Sequence, residues 1–256
     1  MNNYYKRLKN IMERKIVHVV GTGTIGEPLI GLLCDYQGQL GIDEVTFYKN
    51  SALKIDKSKV FDLLKRGARL AVDQDKENDF KKLKIDSDLR TEDAIERASV
   101  VIDCTPKGIG HENKVKYYES FSNKVKGFIA QGSEDGFGKK YARGINDNAL
   151  NPEDKFIQIV SCNTHNISCL TKTIAFSVEN NNLDKGDFIC IRRANDLSQV
   201  GGFIPAPKVG IHEDEKFGTH HAKDAHGLFS TIGENLNLYS SEMMVNSQYM
   251  HILRFK

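Results

Sequence analysis

Short apolar, β-branched runs alternate with helical stretches along the first part of the chain. Lys15 to Val20 is followed by a glycine-rich turn and then by a helical apolar stretch from 29 to 33. Later runs of the same kind are Glu44 to Tyr48, Ala98 to Cys104 and Gly127 to Gln131. Strands that alternate with helical patterns are typical of βαβ units. The pattern therefore predicts an α/β fold with a doubly wound parallel sheet.

Three stretches between these runs show helical or charged character. Val60 to Ala71 has the spacing of a helix, and Thr91 with Glu92 opens a short helical segment. The stretch from Gln74 to Lys84 is highly charged and is expected at the surface. None of the three carries a chemical motif, so we interpret them as scaffold.

The pattern changes after about residue 155. Phe188 to Arg192, Phe203 to Ile204 and Tyr239 to Val245 predict longer strands, and Met243 to Leu253 also reads as apolar strand. These strands predict a second, α+β domain with a mixed sheet. We therefore expect an N-terminal extension over 1–14, a dinucleotide-binding domain over 15–155 and a catalytic domain over 156–256.

Composition narrows the class of partner. The 256 residues carry 36 Lys plus Arg against 34 Asp plus Glu, which favours neither nucleic acid nor an anionic membrane surface. No apolar run approaches the ~18 residues that span a bilayer, and the first fourteen residues lack the features of a secretory signal. Five irregularly spaced cysteines indicate reduced thiols rather than disulfides or zinc ligands. We expect a cytoplasmic protein that binds a small molecule and no metal.

The glycine turn after the first run has the form G-x-G-x-x-G, with glycines at Gly21, Gly23 and Gly26. Between a strand and a helix, these glycines allow a tight turn, close approach of a pyrophosphate and helix-on-strand packing. The sequence therefore predicts dinucleotide binding, with a plain βα turn as the alternative. A second glycine-rich turn, Thr105 to Gly110, follows another predicted strand, where open α/β sheets place ligands.

The end of the second predicted strand bears on the choice of cofactor. Tyr48, Lys49 and Asn50 stand where an NAD-specific site has an acidic residue for the ribose 2′-hydroxyl. Lys49 could pair with a 2′-phosphate, so we expect NADP to bind at least as well as NAD. A solvated lysine at a strand end is an equally good reading of Lys49 alone.

Cys162 is the candidate nucleophile. The apolar run Phe156 to Val160 ends in small polar residues with Cys162 at the turn, as where a buried strand delivers a side chain to a cleft. A following helix would stabilise a thiolate and receive an oxyanion at its N-terminal amides. The alternative is a small core residue, because free cysteines are commonly buried.

The stretch from Phe217 to His226 contains three histidines, His220, His221 and His226, close to Asp224. His220 and His221 are adjacent, so only one of them can readily face a shared site in regular structure. A metal site is therefore disfavoured, and the sequence favours contact with an anionic substrate or a plain loop.

Six landmarks in order make the sequence similar to the archaeal type of glyceraldehyde-3-phosphate dehydrogenase. They are V-G-T-G-T-I-G (20–26), V-I-D-C-T-P-K-G-I-G (101–110), Q-G-S-E (131–134), V-S-C-N-T (160–164), R-R-A (192–194) and T-H-H (219–221). In that family a cysteine attacks the aldehyde, a hydride passes to NADP or NAD, and phosphate releases the thioester as an acyl phosphate.

The resemblance implies a role for each matching residue. Cys162 is the nucleophile, with His251 in Met250-His251 as the catalytic base. The implied substrate contacts are Ser161, Asn163, His220 and His221. The implied cofactor contacts are Thr24, Ile25, Gly132 and Arg193, beside Gly21, Gly23, Gly26, Lys49 and Thr105. Substrates would be the phosphorylated aldehyde and phosphate.

The chain also departs from the family pattern. Family members continue past the histidine with further strands and a C-terminal helix, so we expect a shortened catalytic domain with an unpaired sheet edge. Ser133 replaces a glycine, and His165-Asn166 replaces Thr-Gly. The homotetramer of the family is therefore not assumed. Alternatives are a nucleotide-binding homologue without turnover, or a related semialdehyde or acyl-phosphate reductase.

Overall fold

The computed structural model describes residues 14–132, 134–176, 181–194, 206–247 and 250–256. The chain divides into two compact units, the first ending at Ala130 and the second running from Gln131 to Lys256. The sequence places this boundary later, after residue 155. The interval between the two positions contains strand Lys139–Tyr141, which lies in the second unit.

The first unit is built on parallel strands. They are β1 Ile16–Val20, β2 Glu44–Tyr48, β3 Arg69–Val72, β4 Leu89–Arg90, β5 Val100–Asp103 and β6 Gly127–Gln131. Their order in the sheet is β4-β3-β2-β1-β5-β6, and each adjacent pair is parallel. The order reverses between β1 and β5. Because crossovers are right-handed, the helices of the two halves cover opposite faces. The predicted doubly wound sheet is confirmed.

Helices connect these strands. They are α1 Gly26–Asp35, α2 Gln37–Leu40, α3 Lys57–Lys65, α4 Glu77–Lys82, α5 Thr91–Arg97 and α6 Ile109–Lys116, with 3₁₀ turns at Lys54–Asp56, Gln74–Lys76 and Tyr118–Phe121. The core packs buried residues of β1 to β3, such as Val19, Phe47 and Leu70, against helix residues such as Ile30. The charged stretch from 74 to 84 is anchored to this core by Phe80.

The predicted helix from Val60 to Ala71 is wrong in its second half. Helix α3 ends at Lys65, and strand β3 begins at Arg69. Gly67 has φ +95, which glycine adopts without a Cβ penalty. The amides of Gly67 and Ala68 bond back to Leu64 and Leu63, the Schellman pattern that ends a helix. The glycine, rather than the apolar spacing, sets the boundary.

The second unit contains a short parallel pair and a mixed sheet. Strand β7 Lys139–Tyr141 pairs in parallel with β8 Phe156–Ile159, and a 3₁₀ turn covers Asp147–Ala149. The mixed sheet contains β9 Gly186–Arg193, β10 Lys208–Val209, β11 Leu238–Val245 and β12 Ile252–Phe255 in the order β10-β11-β9-β12. Strands β9 and β11 are parallel, and the outer strands are antiparallel to them. The predicted mixed sheet is confirmed.

Two helices, α7 Cys162–Ala175 and α8 His220–Ser230, pack with this sheet around a second core. Its buried members include Ile167, Phe188, Leu228 and Leu238. A continuous strand from Met243 to Leu253 is wrong, because β11 ends at Val245 and β12 begins at Ile252. Phe203 to Ile204 lies outside the described residues. No helix in the described ranges has both the length and the apolar character needed to cross a membrane.

Candidate active site

Cys162 is the first residue of helix α7. Strand β8 ends at Ile159, Ser161 is extended with φ −64 and ψ 161, and the helix then runs for 14 residues. The Cys162 side chain is exposed, whereas Cys104 and Cys190 are buried. The predicted helix after the strand is present, and Cys162 is not a core residue. Its thiol therefore lies at the positive end of a helix, whose first amides have no intrahelical acceptors.

Ser161 caps this helix. Its Oγ accepts a hydrogen bond from the Thr164 amide at 3.4 Å and lies 2.9 Å from Thr164 Oγ1. Serine is among the preferred residues at this position because its oxygen satisfies one of the amides of the first turn. Ser161 thereby fixes the start of the helix, immediately before Cys162.

His221 contacts the residues on both sides of Cys162. Its Nδ1 lies 3.4 Å from Ser161 Oγ, and its Nε2 lies 3.4 Å from Asn163 Nδ2. Thr164 Oγ1 donates to the His221 carbonyl at 3.5 Å. His221 is buried at the first turn of α8. The structure therefore brings together Ser161, Asn163 and His221, three of the four predicted substrate contacts.

Glu242 and Arg192 complete this cluster, and the sequence analysis missed both. Glu242 Oε2 on β11 lies 3.1 Å from His221 Nε2 and 3.2 Å from Arg192 Nη1. The hydrogen bond from His221 and the charge of Arg192 lower the pKa of Glu242 to about 2, against the opposing effect of burial. Glu242 is therefore ionised at neutral pH. The period of two in β9 and β11 puts each of these residues on the face of its strand that carries the buried residues, but it does not show that the two side chains meet.

Arg192 keeps a donor that Glu242 does not occupy. Its Nε is buried and has no hydrogen-bond partner among the described residues. A guanidinium presents several N–H groups in a fixed fork, which suits carboxylate and phosphate oxygens. Arg192 can therefore bind an anionic group while it stays paired with Glu242.

His251 precedes strand β12, at the edge of the same sheet. Ile252 pairs with Ile191 and Leu253 with Cys190 in the antiparallel register. Continuing this register places His251 opposite Arg192. Leu253 packs on the second core, so side chains at alternate positions, including 251, share the face of β12 that meets it.

His220 and Asp224 differ from their neighbour His221 in their surroundings. The His220 ring packs on the His221 ring with centroids 3.9 Å apart. Asp224 is buried and pairs with Lys140 at 2.7 Å. The plain-loop reading of this stretch is wrong, since His220 begins helix α8. Among the described residues no group of three His, Cys, Asp or Glu side chains is arranged to hold a metal ion.

The glycine turn of the first unit has the geometry that its sequence requires. Gly21 has φ +96, and a Cβ on Gly26 would lie 2.0 Å from the Gly21 carbonyl oxygen. A Cβ on Gly23 would meet nothing within 4 Å. Gly21 and Gly26 are therefore demanded by the turn itself, whereas Gly23 leaves open space beside the start of α1. Ile25 precedes that helix with its side chain exposed, and Thr24 lies in the same turn.

Lys49 is buried and already paired. Its Nζ lies 2.7 Å from Asp56 Oδ2 and 3.3 Å from Thr22 Oγ1 in the glycine turn. Asp56, at the end of a 3₁₀ turn, thus brings a carboxylate to the end of β2, where the local sequence has none. This contact was missed because Asp56 comes from the next element rather than from the strand.

Thr105 is held by the carboxylate at the end of β5. Asp103 Oδ1 accepts from the Thr105 amide at 2.9 Å and from the Thr105 hydroxyl. Asp103 Oδ2 accepts from Asn113 Nδ2 at 2.9 Å and from the Tyr118 hydroxyl at 2.5 Å. Burial, together with the Asp103 charge, raises the pKa of Tyr118 well above its usual value. These bonds fix the turn that bears Thr105.

The last two predicted cofactor residues lie in the second unit. Gly132 has φ +86, and its amide donates to the Ile159 carbonyl at 2.9 Å, close to the strand that leads to Cys162. Arg193 is the final residue of β9, next to Arg192. The roles of Gly132 and Arg193 in cofactor binding stay predictions.

The fold and this cluster together define an α/β protein with a nucleotide-type glycine turn and an exposed cysteine at a helix N-terminus. In sequence, the chain is similar to archaeal glyceraldehyde-3-phosphate dehydrogenases. It is 27% identical to the enzyme of Pyrobaculum arsenaticum over 248 residues, 92% of this chain and 64% of the relative. It is 27% identical to that of Methanobrevibacter smithii over 249 residues, 93% and 65% of the two chains.

A third relative, the Archaeoglobus fulgidus enzyme, is 29% identical over 171 residues, 63% of this chain and 44% of the relative. The matched part of the chain thus spans between 44% and 65% of the length of these three relatives. No protein-family model matches it. The resemblance inferred from the six sequence landmarks is confirmed.

Proposed function

We propose that this chain oxidises glyceraldehyde 3-phosphate to 1,3-bisphosphoglycerate with a nicotinamide cofactor and inorganic phosphate. The observation that supports it most directly is Cys162, exposed at the start of α7 and flanked by Ser161 and Asn163, which both contact His221. The similarity to glyceraldehyde-3-phosphate dehydrogenases supports the same reaction.

In this proposal the Cys162 thiolate attacks the aldehyde carbon, and the carbonyl electrons move to oxygen. The oxyanion is placed at the N-terminal amides of α7, which are fixed donors before the reaction begins. His251 takes up the thiol proton. Loss of hydride from the adduct restores the carbonyl as a thioester. A phosphate oxygen then attacks the thioester carbon, and Cys162 leaves as a thiolate while the acyl phosphate departs.

The first unit fits a nicotinamide dinucleotide, which supplies the hydride acceptor. Open space beside Gly23 and the N-terminus of α1 would take the pyrophosphate. Lys49 and Thr22 lie next to the end of β2, where the ribose of such a cofactor is bound in this fold. Either NADP or NAD can be accommodated in this proposal.

The substrate phosphate is assigned to the second unit. Arg192 retains a buried donor, and His220 and His221 lie at the N-terminus of α8, which favours negative charge. The reductases of semialdehydes and acyl phosphates have a strand-end cysteine, but the V-S-C-N-T surroundings of Cys162 favour the phosphorylating enzyme. We further propose a cytoplasmic protein with these small molecules as its partners.

The purified 256-residue chain, assayed with glyceraldehyde 3-phosphate, phosphate and NADP or NAD, tests the proposal. We expect phosphate-dependent reduction of the cofactor, which Cys162→Ser abolishes and Cys169→Ser does not. Cys169 is the matched control because it is an exposed cysteine on the same helix. Cofactor binding without turnover would replace the proposal with nucleotide binding alone.

A further inference from the structure

We propose that Glu242 is a positioning residue, which holds the ring of His221 in one orientation and one tautomer against the residues that flank Cys162. The proposal rests on the proposed function in that it treats His221 as part of the substrate site. It goes further by giving a role to a strand residue that lies more than twenty positions away in sequence.

The geometry of one carboxylate oxygen supports this role. Glu242 Oε2 lies 3.1 Å from His221 Nε2 and 3.2 Å from Arg192 Nη1. The His221 side chain is 3% exposed and that of Glu242 is 11% exposed. The three side chains come from β11, α8 and β9, so the carboxylate joins two strands of the sheet to the start of a helix.

An ionised carboxylate accepts hydrogen bonds and cannot donate them. The hydrogen of a neutral His221 ring must therefore be on Nε2, where it is donated to Glu242. Nδ1 is then an acceptor, and the Ser161 hydroxyl, 3.4 Å away, can donate to it. Asn163 Nδ2 cannot donate to a protonated Nε2, so its N–H groups stay available for a substrate oxygen.

Gly210 shows that the chain leaves room for the Glu242 carboxyl group. A Cβ at Gly210 would lie 2.1 Å from Glu242 Cγ and 2.6 Å from its Oε1. The Gly210 amide also donates to the Glu242 carbonyl at 2.8 Å. Distances below 3.0 Å require a shift, so a larger residue at 210 would displace the Glu242 side chain. The absence of a side chain at Gly210 therefore leaves the space that the Glu242 carboxyl group occupies.

This arrangement separates the roles of the histidines. His221 has its Nε2 proton engaged by Glu242 and its Nδ1 facing the Ser161 cap, so it serves as a structural donor and acceptor. It is not placed to exchange a proton with the reacting groups. The proton transfer of the proposed reaction is left to His251.

The direct test is the state of the His221 ring at pH 8, read by long-range proton–nitrogen correlation in protein with nitrogen-15 histidine. The His221 signal is assigned by its loss in His221→Gln. We expect hydrogen on Nε2 and a ring N–H protected from exchange with water. Glu242→Gln should retain this signal because its amide oxygen also accepts, whereas Glu242→Ala should lose it. Hydrogen on Nδ1, or an unchanged protected N–H in Glu242→Ala, would overturn the proposal.

Kinetics provide a second readout, with Gly210→Ala as an independent way to move the carboxyl group. Both Glu242→Ala and Gly210→Ala should raise KM for the aldehyde phosphate on the order of tenfold or more, with a smaller change in kcat and unchanged cofactor affinity. Exposed Glu215→Gln is the control and should match the unmodified chain. If KM is unchanged in both test variants, Glu242 is not a positioning residue.

The two proposals can fail separately. A chain without turnover that still shows the Nε2 hydrogen and its loss in Glu242→Ala would refute the proposed reaction and retain the role of Glu242. A chain that turns over normally in Glu242→Ala would retain the reaction and refute that role.

Discussion

The Nζ of Lys49 lies 2.7 Å from the carboxylate of Asp56 at the end of strand β2. The positive charge that the sequence offers to a 2′-phosphate is thus already balanced by a residue from the following turn. A 2′-phosphate on NADP would have to share or displace this pair, because like charges in close contact repel.

Titration with NADP and with NAD measures the opposite effects of Lys49 and Asp56 on binding of the 2′-phosphate. Asp56→Asn removes the competing charge with little change in size and should strengthen NADP binding relative to NAD. Lys49→Ala should weaken NADP more than NAD, and the double variant should behave like Lys49→Ala. A strong NAD preference that is unchanged in Lys49→Ala would remove the argument for NADP.

The reactivity of Cys162 can be tested without turnover. We expect Cys162 to be alkylated by iodoacetamide at mildly acidic pH faster than the other cysteines, because a helix N-terminus stabilises a thiolate and the proposed function puts the His251 imidazolium beside it. Burial raises the pKa of the thiols of Cys34, Cys104 and Cys190, in the last two to about 12. Alkylation of these three cysteines should therefore be slower. Mass spectrometry of labelled peptides measures each rate.

Cys169 provides the internal comparison, since it is exposed on α7 about two turns beyond Cys162. His251→Asn should reduce the rate at Cys162 and leave that at Cys169 unchanged. Equal rates for the two cysteines in the unmodified chain would mean that Cys162 has no special environment.

Turnover should depend on Cys162 and His251 to different degrees. Cys162→Ser should abolish phosphate-dependent oxidation, because a hydroxyl is a far weaker nucleophile than a thiolate. His251→Asn should lower kcat on the order of a hundredfold, the usual scale of a lost general base. Equilibrium binding of the cofactor should be unchanged in both variants. A near-normal kcat in the His251→Asn variant would mean that another residue acts as the general base.

Buried His18 should make the protein sensitive to acid. Complete burial in β1 lowers its pKa from 6.5 to about 3, and its Nδ1 lies 2.7 Å from Thr46 Oγ1. The folded state therefore binds fewer protons at this site than the unfolded state does. The contribution of the buried, neutral His18 ring to the free energy of unfolding is therefore intact above pH 6.5. It falls as the pH drops toward 3, by about 1.4 kcal/mol per pH unit.

Denaturant unfolding at pH 7 and pH 5 measures this effect. The double variant His18→Val with Thr46→Val removes both polar groups and should lose about 2 kcal/mol of the pH dependence. Thr46→Val alone leaves His18 buried and should retain most of it. An identical pH dependence in the double variant and the unmodified chain would contradict the assignment.

The outer edge of β12 should promote association. Strand β12 pairs with β9 on one side, and no described strand pairs with its other side. Ile252 and Phe255 are 56% and 46% exposed, and an apolar edge strand is a template for pairing with another chain. Light scattering should show association that Ile252→Lys reduces. A monodisperse monomer that is equally stable with and without the substitution would contradict this prediction.

The sequence by itself determined the class of fold and the position of the candidate nucleophile. Parallel β strands that are buried on both faces have continuous β-branched runs, and glycine turns follow β1 and β5, so β1, β2 and β5 could be located from the local pattern. Cys162 could be found for the same reason, since its signal is the local change from strand to polar turn. The helix boundary at Gly67 was missed because apolar spacing continued past it.

The tertiary structure decided which distant residues meet. Asp56 reaches Lys49 from a separate turn, and Glu242 reaches His221 and Arg192 across two strands and a helix. Such pairs leave no periodic signal in the sequence, because a charged residue on a strand has the same local pattern whether it faces solvent or a buried partner. Only the register that sets Glu242 beside Cys190, and Met244 beside Arg192, brings these charges together.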